Sequence, residues 1–255
     1  VSAAPKLTQI FPPQELIELM LKGPEAHLCQ PDGLMYDKEV LTADLLTKNK
    51  QYFFSTPATA LLWPNEIGKK EELTSLLLNR RFDDSSEKSL ILTEVRLKLG
   101  SLTKSSSLID EVLAVTDEFV TNALYNAPYV DPVTHVNQRI DRLTTNVKLP
   151  PGKQSRLFVA EDGQRLLIGV EDQFGSLSVQ KYLNGIVNCY ASGIKDSINF
   201  GQGGAGIGSY IIFNAASSLY YGVIPGQTTL LVCVVPYRMS RRSREGLPKH
   251  LHWIK

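Results

Sequence analysis

The sequence predicts an α+β fold, a two-layer α/β sandwich with a smaller α/β region at its N-terminal end. Three observations lead there. Two pairs of short apolar runs, Ser155–Ala160 with Arg165–Val170 and Leu219–Ile224 with Thr228–Val235, are each joined across a turn signal and read as hairpins. Before and between them, apolar residues recur at three-to-four spacing, the pattern of a helix with one buried face. Elements in this order pack as helices on one side of a mixed, largely antiparallel sheet.

Pro12-Pro13 precede a helix over Gln14–Lys22, whose Leu16, Ile17, Leu19, Met20 and Leu21 are apolar and which Gly23-Pro24 close. Gln51–Phe54 and Ala58–Trp63 read as short strands, split by Pro57 and ended by Pro64-Asn65. Glu66–Arg80 and Glu87–Leu99 have helical periodicity, and the Ser- and Lys-rich stretch Gly100–Ser107 reads as a linker. His27, Asp32, Asp37 and Asp44 are expected at the surface. Ser107-Leu-Ile-Asp110 resembles a capping box opening a long amphipathic helix that Pro128 ends. The turn Glu161–Gln164 joins the first hairpin, a helix spans Ser178–Tyr190, and a glycine-bearing loop, Ala191–Ala205, leads into a helix from Gly206 to about Ser218. The second hairpin turns at Pro225-Gly226-Gln227. The expected division is residues 1–100, residues 101–237 and a basic tail, residues 238–255.

At 255 residues, 43% hydrophobic and 21% charged, the chain is neither disordered nor collagen-like. A net charge of +1 gives no global attraction to nucleic acid or membrane. The charge is uneven, because Arg238, Arg241, Arg242, Arg244, Lys249 and Lys255 face one acid, Glu245, in the tail. A solvated tail is the expectation. Cys29, Cys189 and Cys233 form no C-x-x-C pair, which argues against a disulfide framework or zinc site and suits the reducing cytoplasm. No apolar stretch has the ~18 residues of a membrane helix, and no segment reads as a leader.

Three motifs carry the chemistry. Glu118, Asn122 and Asn126 fall at four-residue steps on one helix face, opposite an apolar stripe. A carboxylate and two amides in line suit a hard cation and an oriented water or hydroxyl; a plain solvated face is the bland alternative. Gly169-Val-Glu-Asp172-Gln-Phe-Gly175 delivers an acid at a strand end, where it accepts from an exocyclic amine or caps a turn. Gly201, Gly203, Gly204, Gly206 and Gly208 then run into a helix, so backbone amides and the helix N-terminus converge on an anion such as phosphate. Gly201-x-Gly203-x-x-Gly206 also fits the dinucleotide fingerprint. The preceding Ser192–Phe200 is too polar for the required strand, however, and no acid follows. No P-loop motif occurs.

In order, these motifs resemble the GHKL ATPase superfamily, over roughly Leu102 to Pro236. Glu118…Asn122 is similar to its helix motif, Asp172-x-x-Gly175 to its adenine box, and Gly201–Gly208 to the glycine-rich end of its lid. Gly226-Gln227-Thr228-Thr229 resembles its final turn-and-strand signal. Asp117-Glu-Phe-Val-Thr-Asn-Ala123 looks closest to the anti-sigma-factor serine kinases, and residues 1–100 then resemble a degenerate receiver. The resemblance implies a Bergerat ATP-binding fold with ATP and Mg²⁺ as cofactors. Asn122 would hold Mg²⁺, Glu118 would be the general base, and Asp172 would accept the adenine amine with Thr228 nearby through water. Glycine amides would wrap the phosphates, and Lys195 would contact the terminal one. Phe174 and Gln227 stand where the family has glycine and put nucleotide affinity in question.

Three functions compete. The first is a Mg-ATP-dependent serine/threonine kinase acting on a regulatory protein, anti-anti-sigma-like or of a response-regulator pathway, with a homodimer as a further partner. The second is a non-hydrolysing nucleotide-binding switch. A histidine-kinase catalytic domain is the third, discounted because only His27 precedes the domain.

Overall fold

The computed structural model describes residues 6–23, 26–31, 35–67, 75–130, 145–192 and 207–254. In chain order these form α1 (Pro13–Lys22), β1 (His27–Leu28), α2 (Tyr36–Lys48), α3 (Gln51–Ser55), α4 (Pro57–Leu62) and β2 (Ser75–Phe82). There follow α5 (Lys88–Leu102), α6 (Ser106–Tyr125), β3 (Ser155–Glu161), β4 (Arg165–Asp172) and α7 (Val179–Ser192). The last elements are α8 (Gly208–Ala215), β5 (Ser218–Ile224), β6 (Thr228–Pro236), α9 (Arg241–Glu245) and β7 (His250–Ile254). The strands form one seven-stranded sheet in the order β1-β7-β5-β6-β4-β3-β2. All neighbours are antiparallel except β5 and β7, which run parallel.

The α+β class and both hairpins match the expectation, but helices are not confined to one face. On one side α1, α5, α6, α7 and α8 cover Val159, Ile168, Leu231 and Cys233. On the other, α2, α3 and α4 cover Phe158, Leu167, Val232 and Val234. The reason lies in β4 and β6, whose runs Leu166–Val170 and Leu230–Val235 are apolar at nearly every position. Such strands need both faces buried, and a third layer provides the cover.

Other expectations are corrected. Gln51–Phe54 and Ala58–Trp63 are not strands but contribute to α3 and α4. Short apolar runs have no decisive period, and Pro57 sits in the first turn of α4, where its missing amide costs nothing. Phe53 and Phe54 of α3 close on Gly222 of β5, so close that a Cβ there would overlap both rings. At the C-terminal end of the expected helix Glu66–Arg80 lies a strand, β2, which joins β3; residues 68–74 lie outside the described residues. The supposed linker shrinks to a turn. Helix α5 runs through Gly100 to Leu102, and Ser105, not Ser107, caps α6 by accepting from the Leu108 amide at 3.4 Å.

The basic C-terminal segment is only partly a solvated tail: Arg238, Arg241 and Arg242 are exposed as expected, but the chain goes on into the sheet and buries Arg244 and Lys249. β7 lies between β1 and β5, with His250, Leu251 and His252 buried. Arg244 pairs with Glu111 of α6 at 2.5 Å, and Lys249 Nζ donates to the carbonyls of Asn214 and Ala216 at the end of α8. One sheet therefore takes strands from all three of the segments 1–100, 101–237 and 238–255. His27, expected at the surface, is 4% exposed; Asp37 is exposed, Asp44 is half-buried, and Asp32 lies outside the described residues.

The second face holds a charged centre. Glu39 of α2 accepts from Ser218 Oγ at 2.7 Å and from the Tyr220 hydroxyl, meets His252 Nε2 at 3.0 Å, and lies 3.8 Å from Arg165. Burial alone would raise its pKa, but the His252 hydrogen bond, with positive charge from His250, His252 and Arg165, holds it below the usual carboxylate range. Arg165 also pairs with Asp162 at 2.8 Å and donates to the carbonyls of Leu61 and Leu62 at the end of α4. Removing one member strands the others as uncompensated buried charge. Arg165→Met is therefore expected to lower stability by about 3–5 kcal/mol in urea unfolding. Adding Glu39→Gln should recover part of that loss.

Candidate nucleotide site

Helix α6 crosses the sheet with Phe119, Val120, Ala123 and Leu124 buried against it. The following Pro128 cannot continue the helix, so Asn122 and Asn126 fall in and just beyond its last turn. Strand β4 ends at Asp172, the residue directly opposite Thr229 on β6. Between α6, α7 and these strand ends lies a cavity of about 290 Å³. Phe119, Val170, Tyr182 and Leu231 wall it, and Asn122, Asn126, Asp172 and Thr229 bring polar groups to it. Residues from two of the three motifs, 50 positions apart between Asn122 and Asp172, thus line one space.

Asp172 is 8% exposed. Its Oδ1 accepts from the Phe174 amide at 2.9 Å and the Gly175 amide at 3.3 Å, which leaves Oδ2 for another donor. Burial pushes the Asp172 pKa up to about 6, opposed by the two backbone amides and the Thr229 hydroxyl, with Glu171 adding to the rise. The Thr229 hydroxyl lies beside this carboxylate, but makes no protein hydrogen bond of regular geometry. An apolar cavity with a buried acceptor and an adjacent hydroxyl suits a small, largely apolar ligand that offers a hydrogen-bond donor.

Other residues fall differently from expectation. Thr229, rather than Thr228, reaches the cavity, because alternate residues of a strand face opposite sides and Thr229 shares the face of Leu231. Gly175 does not line the cavity. Its φ is +58°, and a Cβ there would strike the Ile224 carbonyl and the amides of Gly226 and Gln227, so the glycine lets two turns pack together. Neither Phe174 nor Gln227 lines the cavity. Phe174 packs on the core beneath the Lys153 ammonium, 5.7 Å from its ring centre, and Gln227 is exposed. Asn126 Nδ2 donates to Asn122 Oδ1 at 2.5 Å, fixing the second amide as a prop for the first. Ser176 Oγ donates to the Ala127 carbonyl at 2.8 Å and ties the loop after β4 to the end of α6.

Glu118 does not line the cavity. It sits one turn back along α6, half-buried, with its carboxylate against Gly208 at the start of α8; a Cβ on Gly208 would overlap it. Gly201, Gly203, Gly204, Gly206 and Lys195 lie outside the described residues. Among the described residues no group of three or more His, Cys, Asp or Glu could hold a metal ion. The donors present, one Asn122 amide oxygen near the cavity, fit a magnesium ion whose remaining ligands are phosphate and water.

No protein-family model matches the chain, and the search of curated proteins gives no match. Among solved structures the chain is similar to one in the SiaB–SiaC complex from Pseudomonas aeruginosa. The identity is 16% and the TM-score 0.43, covering 76% of this chain and 98% of that one. Among the described residues no helix is long and apolar enough to cross a membrane.

Thr229, Ser176, Ser178, Lys181 and Tyr182 are among the cavity residues that motif matching overlooked. Strand alternation from Asp172's partner would have found Thr229; nothing local marks Tyr182. Asp172→Asn tests the charge at the strand end. The folded carboxyl has its pKa raised from 3.8 to about 6, so the fold loses stability as pH rises through that window and stays penalised above it. The Asn variant keeps the Oδ1 acceptor without the charge. It should be up to about 3 kcal/mol more stable than wild type at pH 8, with no difference near pH 3.5, by urea unfolding.

Proposed function

We propose that this protein binds Mg-ATP in the α6–β4–β6 cavity and acts as a regulatory serine/threonine kinase of the anti-sigma-factor type on a signalling protein. The observation that carries the reading is the meeting of Asn122, Asn126 and Asp172 in one apolar cavity, beside the hydroxyl of Thr229. In this reading the ionised Asp172 accepts the adenine amine and Thr229 faces the neighbouring ring nitrogen. Asn122, braced by Asn126, offers its oxygen to Mg²⁺, which when bound neutralises charge on the phosphates. Glu118 takes the proton of the substrate hydroxyl as that oxygen attacks the terminal phosphorus and ADP leaves. Positioning and charge neutralisation supply most of the rate. The partner would be an anti-anti-sigma-like protein or a member of a response-regulator pathway, and a second copy of the chain would complete a homodimer.

The place of Glu118 favours a second reading, a nucleotide-binding switch without transfer. Its carboxylate packs on Gly208 instead of lining the cavity, so a base role requires it to leave that contact.

Calorimetric titration with Mg-ATP, against Mg-GTP as control, tests the site. ATP-selective, saturable binding is expected, and no binding at millimolar ATP would overturn both readings. Affinity should be level above pH 7 and fall toward tenfold per pH unit below about pH 6, as Asp172 takes up a proton and can no longer accept from the amine. Glu118→Gln should bind ATP as wild type does. Its transfer of labelled phosphate to a lysate partner should drop by at least 100-fold; a wild-type protein that binds without transferring supports the switch.

A further inference from the structure

On the far face of the sheet, a contact that nucleotide binding does not use holds the edge strand β1. His27 Nδ1 lies 3.1 Å from His252 Nδ1. The His252 ring is fixed from the other side, with Nε2 on Glu39 Oε2 at 3.0 Å and its face stacked on Tyr220 at 4.3 Å. A close pair of ring nitrogens is bonded when one carries a proton and the other accepts it. When both carry protons, two N–H groups meet and the contact becomes repulsive.

β1 is a short edge segment, with Leu28 packed in the main core and Cys29 against Val40 and Ala43. It is two residues long and pairs with β7 alone among the described strands. On the β7 side its flanks add the Trp253 amide on the Ala26 carbonyl, the Gln30 amide on His250 Nδ1, and Gln30 Nε2 on the Lys249 carbonyl. On the other side the Leu7 amide donates to the Cys29 carbonyl and the Phe11 amide to Gln30 Oε1, so this stretch would leave β7 together with Cys29 and Gln30. We propose that His27 is an acid-sensitive latch: when the His27–His252 pair takes up a second proton, β1 and the adjoining Cys29 and Gln30 are released from the edge of β7.

The groups around the pair define its charge. Glu39 faces His252 from α2, Arg165 reaches Glu39 from β4, Tyr220 lies beneath from β5, and His250 and Cys29 flank from β7 and the end of β1. Burial lowers the His252 pKa, but the Glu39 carboxylate opposes the fall through its hydrogen bond and its charge. His27 is different: burial and the neighbouring His252 bring its pKa down from 6.5 to about 3. The closed state thus refuses a proton that the released histidine accepts, so release gains up to tenfold per pH unit as pH falls below about 6.5.

Cys29, 0% exposed and next to β1, reports release. The experiment is labelling of the full chain with 4,4′-dithiodipyridine from pH 7.5 to 4.5, with each modified cysteine assigned by mass spectrometry. Rates are referred to free cysteine at the same pH. Cys29 labelling is expected to accelerate toward tenfold per pH unit below 6.5 while the core residue Cys233 does not, and His27→Gln should flatten the response. Equal acceleration of Cys29 and Cys233, or an unchanged slope in His27→Gln, would overturn the latch. If the variant does not fold, the Cys29-to-Cys233 ratio in the wild-type chain decides. The readout needs no nucleotide, so it stands apart from the proposed kinase.

Discussion

The pairing of β4 with β6 sets where everything else goes. Their register puts Asp172 opposite Thr229 at one end and Arg165 opposite Pro236 at the other. The first pair opens into the cavity under α6, while Arg165 anchors the charged centre beneath α2 and α4. Shifting the register by one residue would exchange the two faces along the whole strand. The third layer of helices follows from the same pair, because neither face of so apolar a ribbon tolerates water.

Around this ribbon the protein uses two kinds of buried polarity. On the α2 face every partner of Glu39 is a protein group, so charge there serves cohesion, and a single loss is costly. On the α6 face Asp172 takes both of its backbone hydrogen bonds on Oδ1 and turns the rest of its carboxylate to the cavity beside Thr229. A carboxylate held with a raised pKa in an apolar wall weakens the folded state at neutral pH, and such a cost is characteristic of a site shaped for something other than stability.

Glycines divide in the same way. Gly175 and Gly222 are required by backbone and aromatic packing, and their place in the chain says nothing about a ligand. Gly208 admits the Glu118 carboxylate to the start of α8, which links the helix carrying the candidate base to the helix that follows the glycine-rich segment. The C-terminal residues reinforce that link, since Lys249 holds the far end of α8 and Arg244 holds α6.

The hairpins, α6 and the alignment of Asn122 with Asn126 were legible because each depends on local period and turn chemistry. So was Asp172 as a strand-end acid. Runs such as Gln51–Phe54 were not, since three aromatic residues in so short a run fit a strand or a helix, and the choice fell to Gly222 and Tyr220, far along the chain. Thr229 over Thr228 was settled by which strand face met α6. The burial of Arg244 and Lys249 was beyond local reading altogether: they look solvated in sequence, and their partners, Glu111 and the carbonyls at the end of α8, lie over thirty residues away. Sequence thus determined the elements whose hydrogen bonds close within themselves or across one turn. Tertiary structure alone decided burial, because the neighbours that bury a residue come from distant parts of the chain.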